Sequence, residues 1–139
     1  MNLAEALDGA AVPASVEADT DNGSVAVDVT DVDRLGVRVR GVTVRRKSAV
    51  DVVSEAARLP DALRALPERI EPVEVSRALG GARLRTSAKE IRGGEHFEVD
   101  VEATETRVRR TRVANGAREG IEWVMTREQL ERLVRELEG

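Results

Sequence analysis

The sequence contains no cysteine, one histidine and two aromatic residues, Phe97 and Trp123. Without cysteine the chain has no disulfide, no thiolate metal site and no cysteine nucleophile. Because His96 is the only histidine, one chain cannot supply the two or three histidines that many metal sites use. These absences exclude several common catalytic and structural centres. We expect no metal, no cofactor and no catalytic residue.

Long apolar runs are also absent. No stretch approaches the about 18 uninterrupted apolar residues that a membrane-spanning helix needs. The N-terminal segment has no positive charge ahead of its weakly apolar run, and Glu5 and Asp8 interrupt that run. This pattern is not that of a signal peptide. We therefore expect a cytoplasmic protein with no membrane contact.

The chain is instead rich in small aliphatic and charged residues. Of its 139 residues, 41% are hydrophobic and 35% charged, with 22 basic and 26 acidic side chains and a net charge of −4. This composition is typical of a folded domain, and the length fits one core. We expect a single domain over residues 1–139, and leave open whether residues 1–13 are a loosely attached segment.

Turn signals and alternation predict a three-stranded meander near the N-terminus. Asn22-Gly23 is a dipeptide that favours a two-residue hairpin turn, and it would place Val16 opposite Val29. With residues 31–33 as the next loop, the chain alternates again. The apolar phase slips by one residue at Gly41, which indicates a β-bulge.

A helix and a second hairpin follow in the pattern. Ser48 is in position to cap a helix that runs to about Leu59, where Pro60 breaks or restarts it. Residues 73–86 then alternate around Gly80-Gly81, which predicts a hairpin with this glycine pair at its turn.

The next two strands differ in charge. Phe97, Val99 and Val101 alternate with His96 and acidic residues, and the strand after them is strongly basic. Pairing Val101 with Val108 gives acid–base neighbours across the strands, and requires a bulge at Arg109-Arg110 to return later apolar residues to the same face.

The strongest helix signal is at the C-terminus, after a last strand around residues 121–125. Thr126 and Gln129 have the spacing of a capping box. The apolar stripe that follows is Leu130, Leu133, Val134 and Leu137. We predict that this helix packs on the sheet, and that Phe97 and Trp123 are both largely buried.

Together these elements predict an α+β fold. Its sheet is mostly antiparallel, with the meander, a helix and further hairpins, and the central and C-terminal helices pack on it. The order of helix, three strands, helix, two strands and helix, with a pI near 5.2, resembles class I type III secretion chaperones. That resemblance implies an acidic homodimer that binds unfolded protein segments, although the strands after residue 95 do not fit it.

Three groups of residues are candidate sites. Residues 19–23 resemble a calcium loop, but the glycine is fifth instead of sixth and Thr30 occupies position twelve, so the spacing fails. Asp28, Asp31 and Asp33 could form an acidic rim at a sheet end. His96 lies near Glu95 and Glu98, but alternation places it on the polar face, which predicts a solvated histidine and not a general base.

Two basic runs are the remaining candidate. If they shared one sheet face, they would resemble a nucleic-acid footprint. The net negative charge and the lack of interleaved aromatics argue against nucleic acid as a partner. The runs are Arg38, Arg40, Arg45, Arg46 and Lys47, and Arg107, Arg109, Arg110 and Arg112.

The sequence thus favours a non-enzymatic protein-interaction or scaffold domain. We expect it to self-associate as a homodimer, because valine-rich strands leave sheet edges to cover and we find no proline inside the predicted strands. The alternative is a small-ligand-binding or hydrolytic domain with a carboxylate and arginine site at a sheet end. A pocket with convergent polar groups would favour that alternative.

Overall fold

A computed structural model describes residues 2–139, which form nine strands and three helices. The strands are β1 (Ala14–Thr20), β2 (Gly23–Val32), β3 (Gly36–Arg46), β4 (Ile70–Ser76), β5 (Gly81–Thr86), β6 (Glu95–Glu102), β7 (Glu105–Ala114), β8 (Ala117–Ile121) and β9 (Trp123–Thr126). The helices are α1 (Leu3–Asp8), α2 (Val52–Ala62) and α3 (Arg127–Glu138).

All nine strands join one antiparallel sheet in the order β1-β2-β3-β7-β6-β5-β4, with β8 on β7 and β9 on β3. α2 contacts β4, β5 and β6, and α3 contacts β3 and β9. The predicted α+β fold, with its central and C-terminal helices on the sheet, is therefore confirmed. None of the helices in residues 2–139 has the length and apolar character needed to cross a membrane.

The helices cover one face of the sheet. A buried row crosses six strands through Val16, Val27, Val42, Val108, Val99 and Leu84, each opposite the next. Ala6 and Leu7 of α1 belong to the same core as this row, together with the apolar stripes of α2 and α3. Because side chains alternate along a strand, the residues between these positions point to the opposite face.

The predicted β1–β2 hairpin is present, but its predicted register is wrong. Val16 pairs with Val27 instead of Val29, and Thr20 pairs with Gly23, so residues 21 and 22 form the turn. Gly23 is needed because a Cβ there would collide with the Arg45 backbone carbonyl of β3. A slip of two residues keeps the same side chains buried, so alternation could not detect it.

The bulge expected at Gly41 is confirmed, while the loop before it begins later than predicted. Asp28 pairs with Gly41 but Val29 pairs with Val39, so β3 carries one extra residue there. β2 continues to Val32, and the loop begins at Asp33, whose Oδ1 accepts the N–H groups of residues 35 and 36 at 2.8 Å each.

The start of α2 also differs from the prediction. Asp51, and not Ser48, is the N-cap, and its carboxylate accepts from the N–H and hydroxyl of Ser54. Arg77, from the turn after β4, donates to the same carboxylate at 3.0 and 3.1 Å. Pro60 lies inside the helix, which runs to Ala62. The contact with Arg77 spans 26 residues, so it has no local sequence signal.

The β6–β7 register differs by two residues from the prediction. Val101 pairs with Thr106 and Val99 with Val108, because only Ala103 and Thr104 separate the strands. The register from Glu95 to Val101 runs without the bulge expected at Arg109-Arg110. The basic residues of β7 are therefore divided between the two faces of the sheet. Arg107 and Arg109 point away from the helices, and Arg110 and Arg112 are in phase with buried Val108.

The C-terminal predictions hold. Thr126 and Gln129 form both hydrogen bonds of the capping box, at 3.0 and 2.9 Å, and the four apolar residues of α3 are all buried. Phe97 and Trp123 are 1% and 8% exposed and meet edge to face, with ring centroids 5.3 Å apart. In place of the single last strand expected around residues 121–125, there are two short strands. β8 pairs with β7, and β9 pairs with β3.

We predict that Trp123→Ala lowers the free energy of unfolding by about 3–5 kcal/mol. The substitution removes a large buried side chain and its edge-to-face contact with Phe97. Urea denaturation measures this change. A loss below about 1 kcal/mol would show that the indole is peripheral to the core.

A second prediction concerns acid. The hydrogen bond from Arg77, followed by that from Ser54, lowers the pKa of Asp51 from 3.8 to about 2. A depressed pKa gives stability that is present above about pH 4 and is lost as the pH falls toward 2. Asp51→Asn should flatten the stability-against-pH curve in that window, and equal slopes for both proteins would contradict the contact.

Candidate functional site

The face of the sheet opposite the helices, here called the open face, carries mostly charged side chains. One outward row crosses the sheet through Asp28, Gly41, Arg109, Glu98 and Arg85. The adjacent row places Arg107 and Arg83 on either side of Asp100. The acidic residues of β6 therefore lie between basic residues of β5 and β7. The sequence predicted such acid–base neighbours for the pair β6 and β7.

At the centre of the open face, the Glu98 carboxylate is buried, with a side-chain exposure of 3%. Its Oε1 accepts from Arg118 Nη2 and lies 3.0 Å from His96 Nε2. Arg109 Nη2 is 3.7 Å from Oε2, which accepts no hydrogen bond from residues 2–139. We call Glu98, His96, Arg109 and Arg118 the Glu98 cluster.

His96 is buried, with 6% exposure, so the prediction of a solvated histidine is wrong. Its Nδ1 lies 3.3 Å from the Gly94 carbonyl oxygen, and its Nε2 faces the Glu98 carboxylate. Both ring nitrogens of His96 therefore lie next to acceptor oxygens.

Alternation placed His96 and Glu98 on the correct face, but it could not show that this face is covered there. The β7–β8 hairpin brings Arg118 over Glu98, and the Gly94 carbonyl accepts the N–H of Val113. A Cβ at Gly94 would collide with the Val113 backbone, so this close approach requires glycine. The covering residues, Val113 and Arg118, lie 15 and 20 residues after Glu98 in the sequence.

Asp100 binds two guanidinium groups, one of which, Arg109, belongs to the Glu98 cluster. Its Oδ1 accepts from Arg83 Nε at 2.8 Å, and its Oδ2 accepts from Arg109 Nη2 at 2.7 Å. The hydrogen bond to Asp100 raises the pKa of Arg83. Arg109 is therefore shared between Asp100 and Glu98, which restrains its position on the sheet.

Beside the Glu98 cluster, where β8 pairs with β7, lies a cavity of about 410 Å³ that we call the arginine pocket. Five arginines line it, together with two carboxylates. They are Arg40, Arg107, Arg109, Arg110 and Arg118, and Asp28 and Glu119. Glu119 is already bound to Arg112. Most of the guanidinium groups are paired as well, Arg40 with Glu122, Arg109 with Asp100 and Arg118 with Glu98. Each arginine has five N–H donors, so donors remain at the wall beyond these pairs.

The two basic runs do not share one face. Arg46 forms a buried ion pair with Glu55 at 3.6 Å, and burial lowers the pKa of Arg46. Arg110 lies over the Phe97 ring and pairs with Glu68 on the helix side. Of the two runs, Arg40, Arg107, Arg109 and Arg110 line the arginine pocket, and the other members do not.

The acidic candidates separate as well. Asp28 lines the arginine pocket, while Asp33 caps the loop after β2, where backbone N–H groups lower its pKa. Asp31 bonds the N–H of Val32. No group of three or more histidine, aspartate or glutamate side chains within the described residues could hold a metal ion.

The sequence does not reveal the roles of two members of the site. It indicates Glu98 only as a neighbour of His96 on a polar face, and it gives no direct signal for Arg118. Asn115-Gly116 was the available signal, because a turn there folds the next strand back on β7 and brings Arg118 opposite Val113.

Comparison of the chain with protein-family models, with curated proteins and with solved structures finds no match. The resemblance to class I type III secretion chaperones is therefore limited to element order and pI.

We predict that Glu98→Gln lowers the free energy of unfolding by about 1–3 kcal/mol, because it removes the buried negative charge that His96, Arg109 and Arg118 surround. Glu102→Gln, on the same strand but exposed, is the matched control and should change stability by less than about 0.5 kcal/mol. Equal effects of the two changes in urea denaturation would contradict a buried charge at Glu98.

Proposed function

We propose that this chain is a non-enzymatic interaction domain that binds an acidic segment of a partner protein in the arginine pocket. The observation that carries the proposal is the set of guanidinium groups at one concave part of an otherwise mixed-charge face. Arginine binds carboxylates through two parallel hydrogen bonds, so several arginines at one wall favour a partner with successive acidic residues.

The restrained arginines support binding. Arg109 is held by Asp100, and Arg118 by Glu98, yet their side chains stay 37% and 55% exposed. Fixed side chains lose less conformational entropy when a ligand binds. These residues can therefore contact a partner without first being ordered.

A hydrolytic site, our alternative from the sequence, has less support. Glu98 is buried against His96 and Arg118, and Asp100 is bound to two arginines. A general base needs a carboxylate or imidazole within reach of a substrate proton, and these groups are already engaged. The pocket also lies beside the middle of β7 and not at a sheet end.

Nucleic acid is a weaker candidate partner. No aromatic side chain lines the arginine pocket, so it offers no surface on which bases could stack. The chain's net charge of −4 also opposes long-range attraction to a polyanion. A short acidic protein segment needs only the local excess of arginine.

Charge reversal at Arg107 tests the proposal. Arg107 is exposed and lines the pocket, so Arg107→Glu should leave the fold intact. We expect it to weaken binding of a fluorescently labelled oligoglutamate peptide by at least about tenfold in an anisotropy titration. Arg34→Glu, a matched reversal at an exposed loop position outside the pocket, should change affinity by less than about threefold.

Three results would contradict the proposal. The first is no saturable binding of the oligoglutamate peptide, and the second is equal weakening by both reversals. The third is tighter binding of a single-stranded oligonucleotide of the same length and charge, which would identify nucleic acid as the partner class.

We also propose that the chain forms a homodimer through the free edge of β4. Val73 and Val75 of this outermost strand are 48% and 43% exposed, and Leu79 beside it is 88% exposed. Pro72 lies within β4, so the expectation that no strand contains proline is wrong. Proline discourages hydrogen bonding of another strand to the edge at its own position. The proposed contact is therefore made by the exposed side chains of Val73, Val75 and Leu79.

Sedimentation velocity at micromolar concentration tests self-association. The proposal predicts a species of twice 15.1 kDa, and Leu79→Glu should shift it to the monomer. A single 15.1 kDa species for the unchanged protein would rule the dimer out at that concentration.

A further inference from the structure

The edge of β8 that faces away from β7 forms part of the wall of the arginine pocket. Among residues 2–139, β8 pairs with β7 and with no other strand, and Arg118, Glu119 and Gly120 all line the pocket. An unpaired strand edge presents a row of backbone N–H and C=O groups to which another strand can be added. This row therefore lies beside the guanidinium groups of the proposed binding site.

The turn between β7 and β8 determines which backbone groups of β8 face outward. Ala114 pairs with Ala117, and the two residues between them have positive φ, 53° and 76°, as in a two-residue type I′ turn. In such a hairpin the pair next to the turn is hydrogen-bonded, and so is every second pair after it. The N–H and C=O groups of Arg118 and Gly120 therefore point away from β7. Within the described residues, neither takes part in a backbone hydrogen bond of a turn or loop.

Gly120 leaves room for a second backbone at this edge. A Cβ built on Gly120 would have no neighbouring atom within 4 Å, and the first four residues of β8 are all exposed. Glycine inside a strand often marks a position where another backbone approaches closely. The outward edge of β8 is therefore accessible to an extended segment of a partner.

We propose that the acidic partner segment binds as an additional antiparallel strand on β8. This inference rests on the proposed function and specifies the conformation of the partner. Residues that lie opposite each other in an antiparallel pair share one face of the sheet. The segment residues opposite Arg118 and Gly120 therefore point to the side on which Arg118 reaches Glu98, beside the arginines of the pocket. Acidic residues are then needed at alternate positions of the segment and not in an unbroken run.

Peptides that contain three glutamates among serines test this geometry on the unchanged protein. A peptide with the glutamates at alternate positions should bind at least about threefold more tightly, in an anisotropy titration, than one of equal length and charge with the glutamates in succession. N-methylation of the three glutamates of the alternating peptide removes the N–H groups that donate to β8, and should weaken binding by at least about tenfold. N-methylation of three of its serines is the matched control and should change affinity by less than about threefold.

Two substitutions of Gly120 provide a matched pair on the protein. Gly120→Pro removes the outward N–H without removing a hydrogen bond to β7, and should weaken binding of the alternating peptide by at least about fivefold. Gly120→Ala keeps this N–H and adds a Cβ in open space, so affinity should change by less than about twofold. Both side chains suit the strand, because the φ of Gly120 lies outside the left-handed region. The comparison of methylated peptides remains decisive if Gly120→Pro fails to fold.

Strand addition is overturned if methylation of the glutamates leaves affinity unchanged, or if methylation of the serines weakens binding as much or more. Equal affinities of the alternating and successive peptides would contradict it as well, and so would a folded Gly120→Pro protein that binds like Gly120→Ala. In each of these cases the acidic peptides still bind, so the proposed function is retained. Absence of binding by every acidic peptide would instead contradict the proposed function, and strand addition with it.

Discussion

The structure depends on one constraint, which is that three helices cover only one face of a nine-stranded sheet. The opposite face must then be stable in water without an apolar layer on it. Paired charges across β5, β6 and β7 meet this requirement, and Glu98 is their buried centre. A buried carboxylate is stable only when donors surround it, so His96, Arg109 and Arg118 are held close to fixed positions. The geometry of the arginine pocket follows from that requirement.

Local sequence signals predicted the elements whose contacts are local. The capping box at Thr126 and Gln129 and the bulge at Gly41 are each specified within a few residues, and both are present. Register was less accessible, because a slip of two residues preserves the buried face. The β6–β7 pairing was misplaced for this reason, and Arg110 was assigned to a bulge although it lies regularly on the helix side.

The candidate site could be predicted only in part. Alternation identified a charged strand beside a basic one, which is the basis of the open face. It could not predict the burial of His96 and Glu98, because Arg118 reaches Glu98 from β8 after a turn far along the chain. Contacts between groups separated in this way depend on how strands pair, and a single sequence contains little direct information about that pairing.

The central claim is that Glu98 acts by holding its arginines in place, and the affinity of Glu98→Gln for the oligoglutamate peptide tests it most directly. Removing a negative charge makes the face more positive, so net charge alone predicts tighter binding of an acidic peptide. We predict weaker binding, by several-fold, because Arg118 loses the carboxylate that restrains it and Arg109 keeps only Asp100. The measurement is an anisotropy titration under conditions where circular dichroism shows both proteins folded. Unchanged or tighter binding by the variant would contradict the account.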